Sequence, residues 1–350
     1  MNSVAKTPSM NSNIVVSKHG TAFITKDHGI FAWSGNGPIA VPVAAVNVIS
    51  ICDNSNHRFF EPDNYENEII LALTAEGNVV CIGSKKFDIP EKYAHKIVIA
   101  IICGANHVAA ITYDKTLVCW GNNSAGQCDV PADLKNVVFV HCGDSVTMAV
   151  TTEGNVVCWG CKYAKKCKVP AEAINIVFVD SGIYHVTALT RDGRVICWGE
   201  PHPSYDHSQH IVPEELKLGL PRSDLVISIC CGPLNSAALT QQGKVICWGN
   251  NRTNQCSTQS IENASAIWCD YYRTYALTFE GNLLGTDGCN IVIMDTNVIF
   301  ASVNKYDCTT LTIKTDGTVT DFVDFRNYTN ATYDDFPEDI VAYTGDVVLL

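Results

Sequence analysis

The amino-acid sequence predicts an all-β protein that forms a single β-propeller of seven or eight blades. Two observations support this prediction: a ten-residue motif recurs eight times, and an apolar run rich in Val, Ile and Phe precedes most copies. Apart from two longer intervals, the copies are spaced about 39 residues apart, a period typical of propellers and solenoids. Small sheets of this size bury both faces only by stacking against one another.

The repeated motif reads Thr-x-Asp/Glu-Gly-x-Val-x-Cys-Trp-Gly in its clearest copies. These begin at Thr74, Thr112, Thr151, Thr190 and Thr240, and weaker copies begin at Thr25, Thr278 and Lys314. An Asp-Gly or Glu-Gly pair between apolar runs predicts a β-hairpin with a two-residue type I′ turn, in which both central residues have positive φ. The turn positions align at His28, Gly77, Lys115, Gly154, Gly193, Gly243, Gly281 and Gly317.

Each unit is therefore predicted to contain a first strand, a short link, a second strand, a turn and a third strand. In the third strand of the fourth unit, Val156 and Cys158 share one face while Val157 and Trp159 share the other, because side chains alternate along a strand. Both faces are apolar. This pattern is expected of a sheet that is pressed between two neighbouring sheets.

Most of the 17 cysteines occupy repeat positions, which favours a packing role over a ligand or redox role. Three columns hold thirteen of them: Cys81, Cys119, Cys158, Cys197 and Cys247; Cys52, Cys103, Cys142, Cys231 and Cys269; Cys128, Cys167 and Cys256. We expect them to be small, buried, reduced side chains. Cys158 and Cys161 spell a C-x-x-C motif, but the βαβ context of a redox dithiol is missing.

The composition argues against several classes of partner. The formal net charge is -12, so clustered bases that could neutralise phosphates are scarce, and direct nucleic-acid binding is not expected. No apolar run has the length of a membrane-spanning helix, so no membrane association is predicted. The first residues lack the basic and apolar regions of a signal peptide, and we expect an intracellular, reducing location, with cytoplasm and nucleus both open.

The pattern Gly-x-x-His-x-x-Ala-Leu-Thr-x-Asp-Gly-x-Val-x-x-Trp-Gly, followed by Gly-Gln, resembles the regulator of chromosome condensation repeat family. It is clearest from Gly182 to Gly199 and from Trp120 to Pro131. The compact period further resembles the short-repeat branch that includes the propeller-type β-lactamase inhibitory protein. The resemblance covers residues 14–350, after a flexible tail of residues 1–13.

The resemblance implies a ring that the N- and C-terminal strands close. Seven blades are the norm of the family, whereas the eight hairpin motifs and the chain length favour eight. The histidine of the family motif is present as His107 and His185 but is replaced in other units. We therefore expect it to have a packing or linking role rather than a catalytic one.

Two insertions, residues 53–68 and 200–224, depart from the repeat. The first carries Arg58, Phe59, Phe60 and Tyr65, and aromatic side chains beside arginine are typical of interface hot spots. The alternative is that the two phenylalanines pack back onto the rim of the propeller.

The second insertion carries His202, Tyr205, His207 and His210 as further candidates for partner binding. Imidazoles beside Asp206 also fit a metal site by residue type. Their irregular spacing favours ordinary surface histidines, so no metal is predicted.

A propeller core is a scaffold, so function is expected in the segments that depart from the repeat. No nucleophile with a base, phosphate-binding loop or carboxylate pair is recognisable, so neither an enzyme nor a cofactor is predicted. We predict a scaffold that presents its loops to a protein partner.

Two alternatives remain open. The resemblance implies guanine nucleotide exchange on a Ran-like small GTPase as one of them, although residues 1–13 hold a single base, Lys6, and chromatin contact is not expected. The other is a structural component of a larger assembly. β-Lactamase inhibition is disfavoured, because a secreted inhibitor is not expected to carry many reduced cysteines.

Overall fold

The computed structural model describes residues 14–17, 20–25, 28–34, 37–53, 69–83, 87–160, 167–199, 208–218, 220–221, 223–287, 290–305, 308–322 and 331–332. Within these residues the chain forms eight antiparallel sheets, which we call blades 1 to 8 in chain order. Each blade is a meander in which neighbouring strands are consecutive in sequence. The all-β prediction is confirmed.

Blades 1 to 4 hold the first thirteen strands. They are β1 (Ile14–Ser17), β2 (Gly20–Ile24), β3 (Ile30–Ser34) and β4 (Gly37–Pro38); β5 (Val48–Asp53), β6 (Ile69–Thr74) and β7 (Val79–Gly83); β8 (Val98–Cys103), β9 (His107–Thr112) and β10 (Leu117–Gly121); β11 (Val137–Cys142), β12 (Val146–Thr151) and β13 (Val156–Gly160). A 3-10 turn, Glu91–Tyr93, lies between blades 2 and 3.

Blades 5 to 8 hold the remaining strands of the described residues. They are β14 (Ile176–Ser181), β15 (His185–Thr190) and β16 (Val195–Gly199); β17 (Val226–Cys231), β18 (Asn235–Thr240) and β19 (Val245–Gly249); β20 (Ala264–Cys269), β21 (Thr274–Thr278), β22 (Leu283–Asp287) and β23 (Asn290–Asp295); β24 (Val298–Val303), β25 (Thr310–Lys314), β26 (Val319–Phe322) and β27 (Ala331–Thr332). The short helix α1 (Glu214–Leu218) precedes blade 6.

All eight aligned turn positions have positive φ, between 59 and 85°. The predicted type I′ geometry is nevertheless wrong. In blade 4 three residues, Thr152 to Gly154, form the loop; only Gly154 has positive φ, and its N–H donates to the carbonyl of Thr151 at 2.9 Å. This is a type I turn followed by one left-handed residue, which is the usual three-residue hairpin loop.

The carbonyls of six of the eight turn residues join a hairpin to the next blade. The N–H of Ile176, the first residue of β14, donates to the carbonyl of Gly154 at 2.9 Å. The equivalent bonds run from Val48 to His28, Val98 to Gly77, Val137 to Lys115, Ala264 to Gly243 and Val298 to Gly281. At six seams a backbone bond from the turn thus helps to set the offset between consecutive blades.

The core lies in the seams between blades. Val156 and Cys158 pack with residues of blade 5, whereas Val157 and Trp159 pack with residues of blade 3. The expected alternation of two apolar faces is therefore confirmed. Burying both faces of each sheet in this way is what makes a row of three-stranded sheets stable.

First strands contact one another in succession from blade 1 to blade 7, and the first strand of blade 8 contacts that of blade 1, so these strands surround the central axis. Seven of them share a β-bulge at the second residue, as between Val48 and Ser50 or between Val98 and Ala100. The extra residues Ile49 and Ile99 are 40% and 41% exposed, although their neighbours on both sides are buried. The bulge turns these side chains out of the seam.

Strand β1 of blade 1 contacts β24 of blade 8, so the first and the last described blades are neighbours. The N-terminal strand β1 is the first strand of blade 1. The C-terminal strand that we expect to help close the ring falls beyond residue 332, outside the described residues. Closure by both terminal strands therefore stays a prediction.

We predict that Gly154→Ala destabilises the protein by more than the ~1–2 kcal/mol that a left-handed residue with a side chain costs. The added Cβ would lie 2.7 Å from the Cα of Asn175, in the backbone of blade 5. Gly317→Ala is the matched control, because Gly317 has the same conformation and nothing lies within 4 Å of its added Cβ. Urea unfolding of both variants measures the difference, and equal losses would contradict the clash.

Candidate functional site

The propeller has two ends that differ in what they carry. The turn face is the end at which the hairpin turns lie. The link face is the opposite end, at which each first strand is linked to its second strand and each third strand ends. This assignment follows from the meander, because consecutive strands run in opposite directions.

Both insertions are attached at the link face. The first lies between the end of β5 at Asp53 and the start of β6 at Ile69, and the second begins after the end of β16 at Gly199. Seven of the eight candidate residues lie outside the described residues: Arg58, Phe59, Phe60, Tyr65, His202, Tyr205 and His207. Their role in partner binding stays a prediction, and so does the alternative in which the aromatic side chains pack onto the rim.

His210 is the eighth candidate, and it occupies a repeat position. The preceding residue, Gln209, accepts hydrogen bonds at its carbonyl from Cys197 Sγ at 3.4 Å and from Trp248 Nε1 at 3.2 Å. Cys119 Sγ and Trp159 Nε1 bond in the same way to Gln127, at 3.6 and 3.0 Å. His210 therefore corresponds in position to Cys128 and is half-buried, and its role in partner binding stays a prediction.

Aromatic and basic side chains lie on the link face of blade 7. Tyr272 is 43% exposed, and its ring centroid lies 5.8 Å from that of Tyr271. Arg273 reaches Asp287 with a separation of 3.4 Å. Asp270 anchors this loop: its carboxylate accepts the N–H groups of Tyr272 and Arg273, each at 2.7 Å, and the hydroxyl of Tyr275 at 2.6 Å. Burial raises the pKa of Asp270.

An ion-pair network lies near the central axis at the ends of the first strands. Lys305 Nζ of blade 8 lies 3.0 Å from Asp180 Oδ1 of blade 5, and His141 Nδ1 of blade 4 lies 3.7 Å from the same oxygen. The N–H of Cys231 in blade 6 donates to Asp180 Oδ2 at 2.8 Å. Burial raises the pKa of Asp180, but Lys305 and His141 outweigh burial, so the pKa lies below its usual value.

The same network brings a serine, a histidine and an aspartate together, which sequence reasoning missed. Ser181 Oγ lies 3.0 Å from His141 Nε2. Ser181 is 3% exposed, and Asp180 lies closer to Lys305 than to the imidazole, so the group lacks the accessible nucleophile and the oriented base of a catalytic triad. The distances fit a network that joins blades 4, 5, 6 and 8.

The described residues hold no group of three or more His, Cys, Asp or Glu side chains that could bind a metal ion. Among those residues there is also no helix with the length and apolarity needed to cross a membrane.

Comparison with known families matches three segments to the regulator of chromosome condensation (RCC1) repeat: residues 98–127, 176–202 and 226–255. These segments are blades 3, 5 and 6 with the connections that follow them. The chain is a β-propeller that carries RCC1 repeats. No curated protein matches the chain.

Solved structures share the fold of this RCC1-repeat propeller at low sequence identity. Prp20p from Saccharomyces cerevisiae has a TM-score of 0.53 and 15% identity, over 82% of this chain and 79% of that chain. The ectodomain of the receptor kinase ACR4 from Arabidopsis thaliana has a TM-score of 0.51 and 16% identity, over 78% and 94%. BamB from Moraxella catarrhalis has a TM-score of 0.51 and 9% identity, over 90% of this chain and 95% of that chain.

The histidine of the RCC1 repeat links neighbouring blades, as expected from the sequence. His107 Nε2 lies 2.9 Å from Thr147 Oγ1 of blade 4, and His185 Nε2 lies 2.8 Å from Ser236 Oγ of blade 6. Both imidazoles are fully buried. Burial lowers the pKa of His107 to about 4.

We predict that His107 makes the propeller less stable in mild acid. The unfolded chain takes up a proton near pH 6.5, whereas the folded chain does so only near pH 4, so stability falls as the pH drops between these values, by about 3 kcal/mol in full. His107→Gln should remove this loss, and His95→Gln, at an exposed position, should not. Urea unfolding between pH 7 and pH 4.5 tests it; an unchanged pH dependence in His107→Gln would contradict the assignment.

We further predict that Lys305→Met lowers stability by about 3 kcal/mol, because it leaves the carboxylate of Asp180 buried without its strongest partner. Since the folded pKa of Asp180 is lowered, the pair stabilises the protein above about pH 3.9, and this contribution is lost as the pH falls further. Denaturant unfolding at neutral pH measures the effect.

Lys217→Met is the control for this prediction. Its pair with Glu214 is short, at 2.7 Å, but the two side chains are 44% and 76% exposed, so a change within about 0.5 kcal/mol is expected. Asp180→Asn should recover much of the stability in the Lys305→Met background. No recovery would mean that Lys305 acts through packing alone.

Proposed function

We propose that this RCC1-repeat propeller is a non-enzymatic interaction scaffold that binds a protein partner through its link face. The observation that supports this most directly is that the first insertion joins two strand ends at the link face and the second insertion begins at the same face. Segments that depart from a repeated scaffold, on one face of it, are where binding specificity is expected.

The composition of the link face supports the proposal. Arg58, Phe59 and Phe60 in the first insertion and Tyr205 in the second are residue types that supply most of the energy of interfaces. In the described part of the same face, Tyr272 adds an exposed aromatic ring on a loop that Asp270 holds in place. An anchored loop loses little conformational freedom on binding.

The turn face offers a weaker case. Tyr113 and Phe279 occupy the same turn position in blades 3 and 7 and are 75% and 73% exposed. Ile174 in the connection to blade 5 is 51% exposed. These side chains are distributed over separate blades, and singly exposed apolar residues are ordinary on protein surfaces.

Affinity capture with the purified chain tests the proposal. Variants in which residues 54–67 or 201–207 are replaced by a short Gly-Ser link should retain less than a tenth of the captured partner, whereas a Tyr113→Ser, Phe279→Ser double variant should capture as much as the parent. Thermal melts of all variants establish that the propeller is intact. The proposal would be overturned if both loop variants still captured the partner, or if only the turn-face variant lost it.

Nucleotide exchange on a Ran-like small GTPase is the second candidate, and a structural role in a larger assembly is the third. The structural likeness to Prp20p, whose reported binding properties concern Gsp1p and histones, extends to the fold. Release of fluorescent GDP from a Ran-type GTPase distinguishes exchange from simple binding. Acceleration by the chain at micromolar concentration would replace the scaffold proposal with exchange.

A further inference from the structure

Three pairs of cysteine sulfurs lie within 3 Å of each other at equivalent places in three blades. The distance is 2.9 Å between Cys119 and Cys128, 3.0 Å between Cys158 and Cys167, and 2.8 Å between Cys247 and Cys256. All fifteen cysteines of the described residues are reduced. In each pair one cysteine precedes the tryptophan of the third strand, and the other lies nine residues later in the connection to the next blade.

These connections brace the seam between blades. In blade 3 the residue before the second cysteine is Gln127, whose carbonyl accepts the Thr147 hydroxyl at 2.7 Å and Trp159 Nε1 at 3.0 Å, both from blade 4. Cys119 Sγ also approaches this carbonyl, at 3.6 Å. The thiol pair therefore lies where the connection is tied both to its own blade and to the next.

Two further blades have the same architecture without the second thiol. Cys197 of blade 5 is followed by His210 in the equivalent place, as the bonds to Gln209 show. In blade 2 the partner of Cys81 is Asp88: Trp120 Nε1 donates to the carbonyl of the preceding residue, Phe87, at 2.9 Å. Packing at this place therefore does not require a second cysteine, since His210 and Asp88 occupy it in blades 5 and 2. A cysteine nevertheless occupies it in three blades, each time beside the cysteine of the strand.

We propose that the pairs Cys119 and Cys128, Cys158 and Cys167, and Cys247 and Cys256 are sites of reversible disulfide formation, oxidised by a small-molecule disulfide such as oxidised glutathione. A disulfide bond is about 2.05 Å long, so each pair needs to approach by only about 1 Å. The residues of each pair are held by a strand on one side and by a bonded connection on the other, so this approach requires no rearrangement of the blade.

The reaction in blade 3 proceeds by thiol–disulfide exchange. The thiolate of Cys128 attacks one sulfur of oxidised glutathione, forms a mixed disulfide and expels one glutathione thiolate. Cys119, after losing its proton to solvent, attacks the Cys128 sulfur and expels the second glutathione thiolate. The two protein thiols lose two protons and two electrons, and the electrons reduce the glutathione disulfide to two glutathione molecules.

Cys128 is the better attacking group of its pair. Cys119 is 5% exposed, whereas Cys128 is half-buried in the surface connection. The Cys119 thiol donates toward Cys128, and this hydrogen bond lowers the pKa of Cys128. At the strand positions the pKa is raised instead: for Cys119 by its hydrogen bond to Cys128 and by burial, and for Cys197 and Cys81 by burial, to about 12 and about 11.

A fourth close pair joins two blades directly. Cys52 of blade 2 and Cys103 of blade 3 lie 2.6 Å apart at the ends of first strands. Cys103 is buried, and burial raises its pKa well above the usual value. Both of its cysteines lie on first strands, whereas each of the other pairs has one cysteine in a connection between blades, so this pair is expected to exchange more slowly.

The test is an oxidation series on the intact purified chain in mixtures of reduced and oxidised glutathione. Remaining thiols are alkylated in acid, and mass spectrometry counts them and identifies linked peptides. The number of alkylated cysteines should fall by six in a first phase, with links between residues 119 and 128, 158 and 167, and 247 and 256. The oxidised protein should melt at a higher temperature, because each link constrains the unfolded chain, and dithiothreitol should reverse both changes.

Substitutions provide the controls. Cys128→Ser should abolish the link in blade 3 and leave the other two unchanged, and Asp88→Cys should create a new link with Cys81. Thermal melts of the reduced variants show that each is folded. Glutathione retained as a stable mixed disulfide at Cys128, links between blades in place of those within blades, or the absence of any link at Cys81 in Asp88→Cys would overturn the proposal.

Discussion

The backbone hydrogen bond between the carbonyl of a hairpin turn and the first N–H of the next blade is the constraint on which the rest of the propeller depends. The turn carbonyl can point at the neighbouring blade only because the residue that carries it is left-handed, as Gly154 is with φ of 78°. Once the offset between two blades is fixed in this way, alternate side chains of a strand such as β13 meet two different neighbours. The seams, and not a single central core, then provide the burial that stabilises the chain.

The polar contacts between blades add specificity to this packing. Buried imidazoles such as His107 and indole nitrogens such as that of Trp159 bond to atoms of the adjacent blade. These groups would be costly to bury without partners, so each favours one alignment of neighbouring blades over others. Near the axis, Asp180 favours one arrangement of four blades, because this residue of blade 5 contacts groups from blades 4, 6 and 8.

Much of the fold could be predicted from the sequence, because the same residue pattern recurs in several units. The left-handed turn position could be read even where glycine is replaced, as at His28 and Lys115. The length of the turn could not, since Asp-Gly is compatible with loops of two or three residues. The bulges were not foreseen either, because nothing distinguishes Ile49 or Ile99 from the other apolar residues of their strands.

The binding site and the thiol pairs were harder to predict for a different reason. Residues 53–68 and 200–224 have no counterpart in the other units, so the repeat provides no template for them. His210 lies in the second of these segments, although the bonds to the carbonyl of the preceding Gln209 place it in a repeat position. The column of Cys128, Cys167 and Cys256 was visible in the sequence, but only the distances between sulfurs show that each of these cysteines lies beside the cysteine of the preceding strand.

The pair between Asp180 and Lys305 joins residues that are 125 positions apart in the chain. Every seam from blade 5 to blade 8 lies between them in sequence, so the contact has a larger entropic cost of closure than local pairing within a blade. Blades can form from neighbouring hairpins, but this contact exists only when four consecutive blades curve correctly. Its formation is therefore a late event in folding, and it distinguishes a ring from an open stack of otherwise native blades.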